Sequence, residues 1–284
     1  MDTIVIDLDG RKQSVRRGSS LKDILKDRTD VIAAVLNHHL VSLDTTVFHG
    51  VSVSSVTRQE PRGRAVLRKG AELAFQFLMG KICPQLRVEI GQSLLGGYFY
   101  QVHSPDDGEL DLRNVARVVN EEMQKLVEED RPFQRELLSL TEAMELVDDP
   151  TASRAKLLRS WPSPRIHVVG LGGCHDLQHG VVPPSSRHLT GVEVLPFPPG
   201  LVLRFGDCCE TLDPDHGRLL MDCYQETRSW NEMIGVRTVG ELNSSVLEGR
   251  IERVVRLNEA LHEKRIARIA DQICENESVR VVCI

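Results

Sequence analysis

Asp9-Gly10 sits between two short alternating stretches, residues 3–8 and 11–15, and this arrangement commits the start of the chain to an antiparallel hairpin. Ser19 or Ser20 is placed to cap a short helix that carries Leu21, Ile24 and Leu25 on one face. A strand over residues 31–36, a turn at Asn37-His38-His39, a stretch from Leu40 to Leu43 and a last strand around Val51-Ser52-Val53 complete the unit. Strand, turn, strand, helix and strand within residues 1–57 suit a β-grasp fold.

The character then changes. Residues 58–69 hold Arg58, Arg62, Arg64, Arg68 and Lys69 against one acid, Glu60, with Pro61 and Gly63 breaking the pattern. Two readings stay open: a solvated linker, or a strip that contacts RNA or phosphate. Residues 70–225 form a larger unit. A helix over 71–82 closes at Cys83-Pro84, because proline disfavours helix in the residue before it. Residues 87–90 and 97–102 read as paired strands across a glycine turn, and Asp111 opens an amphipathic helix with Val115, Val118, Val119, Met123, Leu126 and Val127 on one stripe. Ser139 and Glu142 suggest a capping box for a helix through Val147. A strand from residue 165, a Gly/His/Cys loop and two further strands follow. Helices set between antiparallel strands predict an α+β domain.

Residues 226–284 read as a helical bridge that ends in a strand at Val279–Ile284. Thr238 and Glu241 cap one helix, Gly249 ends it, and Ile251, Val254, Val255, Leu261, Ile266, Ile269 and Ile273 mark the next. Trp230 is expected in the core. His38-His39 is expected at an exposed turn.

A formal charge of -6 over 284 residues argues against coating nucleic acid, whose affinity comes from surplus cations. Seven cysteines without framework spacing, no secretory leader and no apolar run of membrane length predict a cytoplasmic protein with reduced thiols. Adjacent Cys208 and Cys209 do not easily bridge each other.

Three stretches carry a resemblance. Ile4-Val-Ile-Asp-Leu-Asp-Gly10, Gly18-Ser-Ser-Leu-Lys-Asp-Ile24 and Val35-Leu-Asn-His-His-Leu-Val-Ser-Leu-Asp44 resemble a TGS domain. Lys81-Ile-Cys-Pro-Gln-Leu-Arg-Val-Glu-Ile-Gly91 through Gly97-Tyr-Phe-Tyr100 is similar to the opening of the threonyl-tRNA-synthetase editing domain, the second additional domain of that enzyme. Tyr224-Gln-Glu-Thr-Arg-Ser-Trp230, Ile234-Gly-Val, Gly240-Glu-Leu-Asn243 and Glu259 through Ala270 resemble the bridge that joins such a domain to a uridine-kinase-type kinase. The resemblance therefore implies the front part of a uridine-kinase-family protein. In that family the last strand runs into a Gly-x-x-x-x-Gly-Lys-Ser/Thr phosphate loop, which this sequence lacks; Gly91 to Gly96 has the glycine spacing but is followed by Gly97. ATP and Mg are expected only with a kinase domain, and a separately encoded kinase domain is an expected partner.

Competent editing domains present His-x-x-x-His on the first helix and Cys-x-x-x-His later. Carried over, the first pair falls on Arg68 and Glu72, which suit an i,i+4 ion pair better than a ligand set. Cys174, His175, His179 and His188 keep part of the later motif with one extra residue and one extra proline. They could hold zinc, or act as a Cys/His nucleophilic pair; the favoured reading is a polar cleft wall without catalysis. With Tyr98, the residues Arg68, Glu72, Cys174, His175, His179 and His188 form the candidate ligand cleft. No catalytic residue or metal ligand is assigned, and no cofactor is expected in this chain. The expected function is a binding or regulatory module for a nucleotide, a tRNA end or an amino-acid-like ligand, without membrane or DNA contact. The alternative is a free-standing aminoacyl-tRNA editing hydrolase.

Overall fold

The computed structural model describes residues 2–106, 108, 110–146, 153–177, 180–206, 214–276 and 278. The expected strand at 279–284, His179, Cys208 and Cys209 lie outside them.

The first part of the chain contains β1 (Thr3–Leu8), β2 (Arg11–Arg16), β3 (Ser19–Ser20), α1 (Leu21–Ile24), β4 (Val31–Leu36), β5 (His39–Val41), β6 (Thr46–Val47) and β7 (Ser52–Thr57). Asp9 and Gly10 both take positive φ, 50° and 80°, the backbone that a two-residue hairpin turn needs. The sheet order is β2-β1-β7-β4-β5, with β1 and β7 parallel at its heart and α1 on one face, which is the β-grasp arrangement. Ser20 caps α1 by accepting from the Asp23 N–H at 3.1 Å. His38 and His39 are exposed at the β4–β5 turn, as expected.

Beyond it lie α2 (Pro61–Ile82), β8 (Arg87–Leu94), β9 (Gly97–His103), α3 (Leu112–Glu128), β10 (Gln134–Ser139), α4 (Leu140–Leu146), α5 (Ser153–Arg159), β11 (Arg165–Leu171), β12 (Cys174–Leu177), β13 (Glu193–Phe197), β14 (Gly200–Arg204), α6 (Pro214–Ile234), α7 (Val239–Leu247) and α8 (Ile251–Glu275). The chain is α+β. Sheets of order β13-β14-β9-β8 and β10-β11-β12 pack with α2 and α3. Asp111 caps α3 through the Asn114 N–H at 3.0 Å, and Ala116, Val119, Met123 and Leu126 form its buried stripe.

Residues 61–69 correct the linker reading: they are the first turns of α2. Pro61 occupies the first helical position, where its missing N–H costs nothing. Gly63 lets the helix press against the end of β7, since a Cβ there would stand 1.8 Å from the Thr57 carbonyl oxygen. Val66 then packs with Ile32, Ala33, Val35 and Val56 on the β-grasp sheet. Further along, Phe75, Leu78 and Met79 enter the larger core, where the Phe75 and Tyr100 rings lie 4.5 Å apart. A single helix thus serves both cores.

Two compact units divide the chain, residues 1–139 with 165–217, and residues 140–164 with 218–284. Residues 140–164, expected within the editing-like domain, belong to the second unit. There Lys156 pairs with Glu241 at 3.2 Å, and the Asn243 amide donates to Ser160 Oγ at 2.9 Å. Thr238 caps α7 as expected, through the Glu241 N–H at 3.2 Å. The stripe on α8 is not core: no residue of α8 is buried, and Ile266 is 54% exposed. Trp230 is half-buried, with the Arg265 guanidinium 5.6 Å from its ring.

Candidate functional site

In the first unit the outward face of α2 borders a cleft of about 440 Å³. Arg64, Arg68 and Lys69 line it from the helix, Tyr98 from β9, and Gly180 and Val181 from the segment after β12. Gly70 fixes this segment: a Cβ there would lie 2.6 Å from the Pro183 ring, so the helix and the proline run meet without a side chain between them. In this run Pro183 is what α2 packs on at Gly70.

Arg68 stacks over the Phe205 ring at 5.2 Å, and Tyr98 meets the same ring edge-on at 5.1 Å. Glu72 is held by Lys69, whose ammonium reaches both carboxylate oxygens at 3.0 and 3.1 Å. Lys69 is thus an i,i+3 partner of Glu72, beside the i,i+4 position expected for Arg68.

Behind the cleft lies Tyr100, fully buried, and among the described residues its hydroxyl has no hydrogen-bond partner. Burial raises its pKa well above the ordinary tyrosine value, and the charges of Glu72, Tyr98 and Asp176 push the same way. The phenol stays protonated and can donate. Sequence reading stopped at Tyr98; Tyr100 lies two residues on, on the same side of β9, and that period of two was the available signal. Asp176 and Lys69 were also missed, the latter despite standing three residues before Glu72 on a helix.

The Gly/His/Cys loop is a hairpin. Gly172 and Gly173, at φ 58° and 92°, turn β11 into β12, so Cys174 and His175 lie on a strand. Neighbours on a strand point to opposite faces. Cys174 packs against the main core, while the His175 ring lies over Gly170, 2.9 Å from where a Cβ would be. The two side chains therefore diverge; a pairing of Cys174 with His179 lies outside the described residues. His188 belongs to a short 3-10 turn, Ser186–His188, with Arg187, Asp130 and Arg58 around it. Next to it Ser186 is fully buried, donating to the Leu126 carbonyl at 2.6 Å and accepting from the Arg131 N–H at 2.8 Å. Among the described residues no three His, Cys, Asp or Glu side chains gather as a metal site.

Burial first, then the Arg187 cation, hold the His188 pKa at about 4, against an opposing pull from Asp130 and with a lesser push from Arg58. The folded state thus resists protonation while the unfolded chain binds a proton below about pH 6.5. This part of the stability is present at neutral pH and is lost as the pH falls from about 6.5 to about 4. Urea midpoints at about pH 5 and pH 7 should therefore converge in His188→Gln relative to the unaltered protein.

No family model matches the chain. It is related over about half its length to threonine–tRNA ligases. It is 28% identical over 144 residues to the ligase of Paenarthrobacter aurescens, which is 50% of this chain and 21% of that protein. It is 28% identical over 149 residues to that of Haloquadratum walsbyi, 50% of this chain and 23% of the relative. With the ligase of Pelobacter propionicus the identity is 24% over 202 residues, 69% of this chain and 31% of the relative. The match spans less than a third of the length of these curated relatives. Among the described residues, no helix is long and apolar enough to cross a membrane.

Proposed function

We propose that the cleft beside α2 binds the aminoacyl group at the 3′ end of a tRNA, or a small molecule that mimics it, without hydrolysing the ester. The observation that carries this reading is the Tyr100 hydroxyl, buried, protonated and, among the described residues, without a hydrogen-bond partner beside the charges of Glu72 and Asp176. Leaving a buried hydroxyl unpaired costs roughly 1–3 kcal/mol, a cost that a ligand acceptor would relieve. The phenol suits the carbonyl or side-chain oxygen of an aminoacyl group. The relatedness to threonine–tRNA ligases supports this ligand class.

Hydrolysis would need a group that activates water at the ester. Around the cleft Lys69 and Glu72 neutralise each other, Arg68 lies over an aromatic ring, and Tyr100 keeps its proton. These groups hold a ligand; none of them is poised to remove a proton. The names of these relatives point to no nucleoside kinase, and the binding role stands without one.

Calorimetric titration with the stable amide analogue of 3′-seryl-adenosine tests the reading. Saturable binding is expected, and it should be competed by 3′-threonyl or 3′-seryl analogues but not by adenosine alone. Equal binding of adenosine and the aminoacyl analogue would contradict it.

A further inference from the structure

Helix α8 runs for 25 residues and none of them is buried, although a helix draws most of its stability from packing one face. One side of it is engaged. Ile251, Val254, Leu261 and Arg265 are half-buried, and Arg265 reaches Glu226 at 3.4 Å while lying over the Trp230 ring. The neighbouring side is open. Val255, Ile266 and Ile269 there are 46%, 54% and 40% exposed. With Glu259 and His262, both also exposed, they recur at steps of four, three, four and three residues, the spacing of a helix-pairing seam.

Two polar groups at the centre of this seam restrict what can cover it. A carboxylate taken from water without a partner is costly, so the occupant must offer Glu259 a hydrogen-bond donor and His262 an acceptor. A second copy of α8 running antiparallel offers both. With a twofold axis between residues 260 and 261, Glu259 faces the partner's His262 and Val255 faces the partner's Ile266, each contact occurring twice. On the flank Arg256, which Glu252 already holds at 2.5 Å, comes opposite the partner's Glu263. Ile269 closes the seam against the partner's Glu252, at the rim where water still reaches the carboxylate. Moving the pair by one heptad would set Glu259 against Ile269 or Val255, and a parallel pair would set it against a second Glu259. One register alone satisfies the polar centre.

We infer that α8 is a self-docking surface, on which a second copy of the chain pairs antiparallel through Val255, Glu259, His262, Ile266 and Ile269. The apolar residues supply the attraction, and the two Glu259–His262 layers fix direction and register. From residue 255 to residue 269 the seam is about 21 Å long at about 1.5 Å per residue. That is a small contact, so the pairing depends on protein concentration. The surface belongs to the second unit and is independent of the aminoacyl cleft.

Sedimentation equilibrium of the full chain, loaded from about 1 to about 100 µM, tests this. A reversible monomer–dimer equilibrium is expected. His262→Glu, which sets carboxylate against carboxylate twice, should weaken the dimer at least tenfold or so, roughly the effect of one like-charge contact. Ile266→Ser should weaken it similarly by removing apolar contact. Adding Glu259→Lys to His262→Glu puts opposite charges back across the seam and should recover the association, an outcome that requires the antiparallel register. The three positions are exposed, so the fold is expected to tolerate these changes, and circular dichroism checks that each variant keeps its helix content. Where a charge variant loses helix, Ile266→Ser alone decides the matter. A chain still monomeric at about 100 µM would overturn the inference. So would a dimer indifferent to Ile266→Ser, or one that the exchanged charges fail to restore.

Discussion

Gly63→Ala should unfold or severely weaken the first unit, while the same change at Gly80 of the same helix should stabilise it. At Gly63 the added methyl would lie 1.8 Å from the Thr57 carbonyl oxygen and 2.7 Å from its carbon, both backbone atoms that cannot rotate away. Relief requires moving α2 off the end of β7, which opens the packing of Val66 on Ile32, Ala33 and Val56. Ordinary overpacking costs about 1–3 kcal/mol, and a backbone collision of this depth should exceed about 3 kcal/mol. For a unit of this size that corresponds to a fall in Tm on the order of 10 °C. At Gly80 nothing lies within 4 Å of the added Cβ and the residue is exposed, so Gly80→Ala should gain about 0.5–1 kcal/mol from helix propensity. Gly70→Ala falls between them, because its obstacle is the Pro183 ring at 2.6 Å. Thermal denaturation of the three variants checks the order. Equal effects at Gly63 and Gly80 would mean that α2 is not seated on β7.

Tyr100→Phe should move stability and binding in opposite directions. Among the described residues the buried hydroxyl has no partner, and the ring packs on Phe75 at 4.5 Å, so phenylalanine keeps the packing and removes the desolvated group. The protein should gain about 1 kcal/mol. If the hydroxyl is held ready for a ligand acceptor, the seryl-amide analogue should bind roughly tenfold more weakly, the equivalent of one hydrogen bond. A group that serves only the fold would not show this split. Urea denaturation and calorimetry on the same preparation measure both halves. A destabilised variant with unchanged affinity would return Tyr100 to the core.

Much of the fold was legible because its signals are local. Asp9-Gly10, the Asp111 and Thr238 caps and the β8–β9 pairing each depend on residues within one turn or hairpin. What failed depended on partners distant in sequence. Pro61 and Gly63 read as breakers in isolation, yet one starts the helix and the other makes room for Thr57. The apolar positions of α8 promised a buried stripe, but a stripe shows only what a helix could bury, and among the described residues it stays open. The site was legible in part. Arg68, Glu72 and Tyr98 do gather around the cleft or behind it, because helical and strand spacing put them there. Cys174, His175 and His188 do not converge, since strand alternation and a separate 3-10 turn divide them. The period of two from Tyr98 marked the position of Tyr100, but nothing in a sequence distinguishes a core tyrosine with a satisfied hydroxyl from one without.

The most direct measurement is the rate at which seryl-tRNA loses its amino acid when the protein is present in excess. Binding without catalysis predicts a rate equal to or slower than spontaneous deacylation, because a held ester is shielded from water. Acceleration by the protein, abolished in His175→Ala or Glu72→Gln, would contradict it and make the cleft an editing hydrolase.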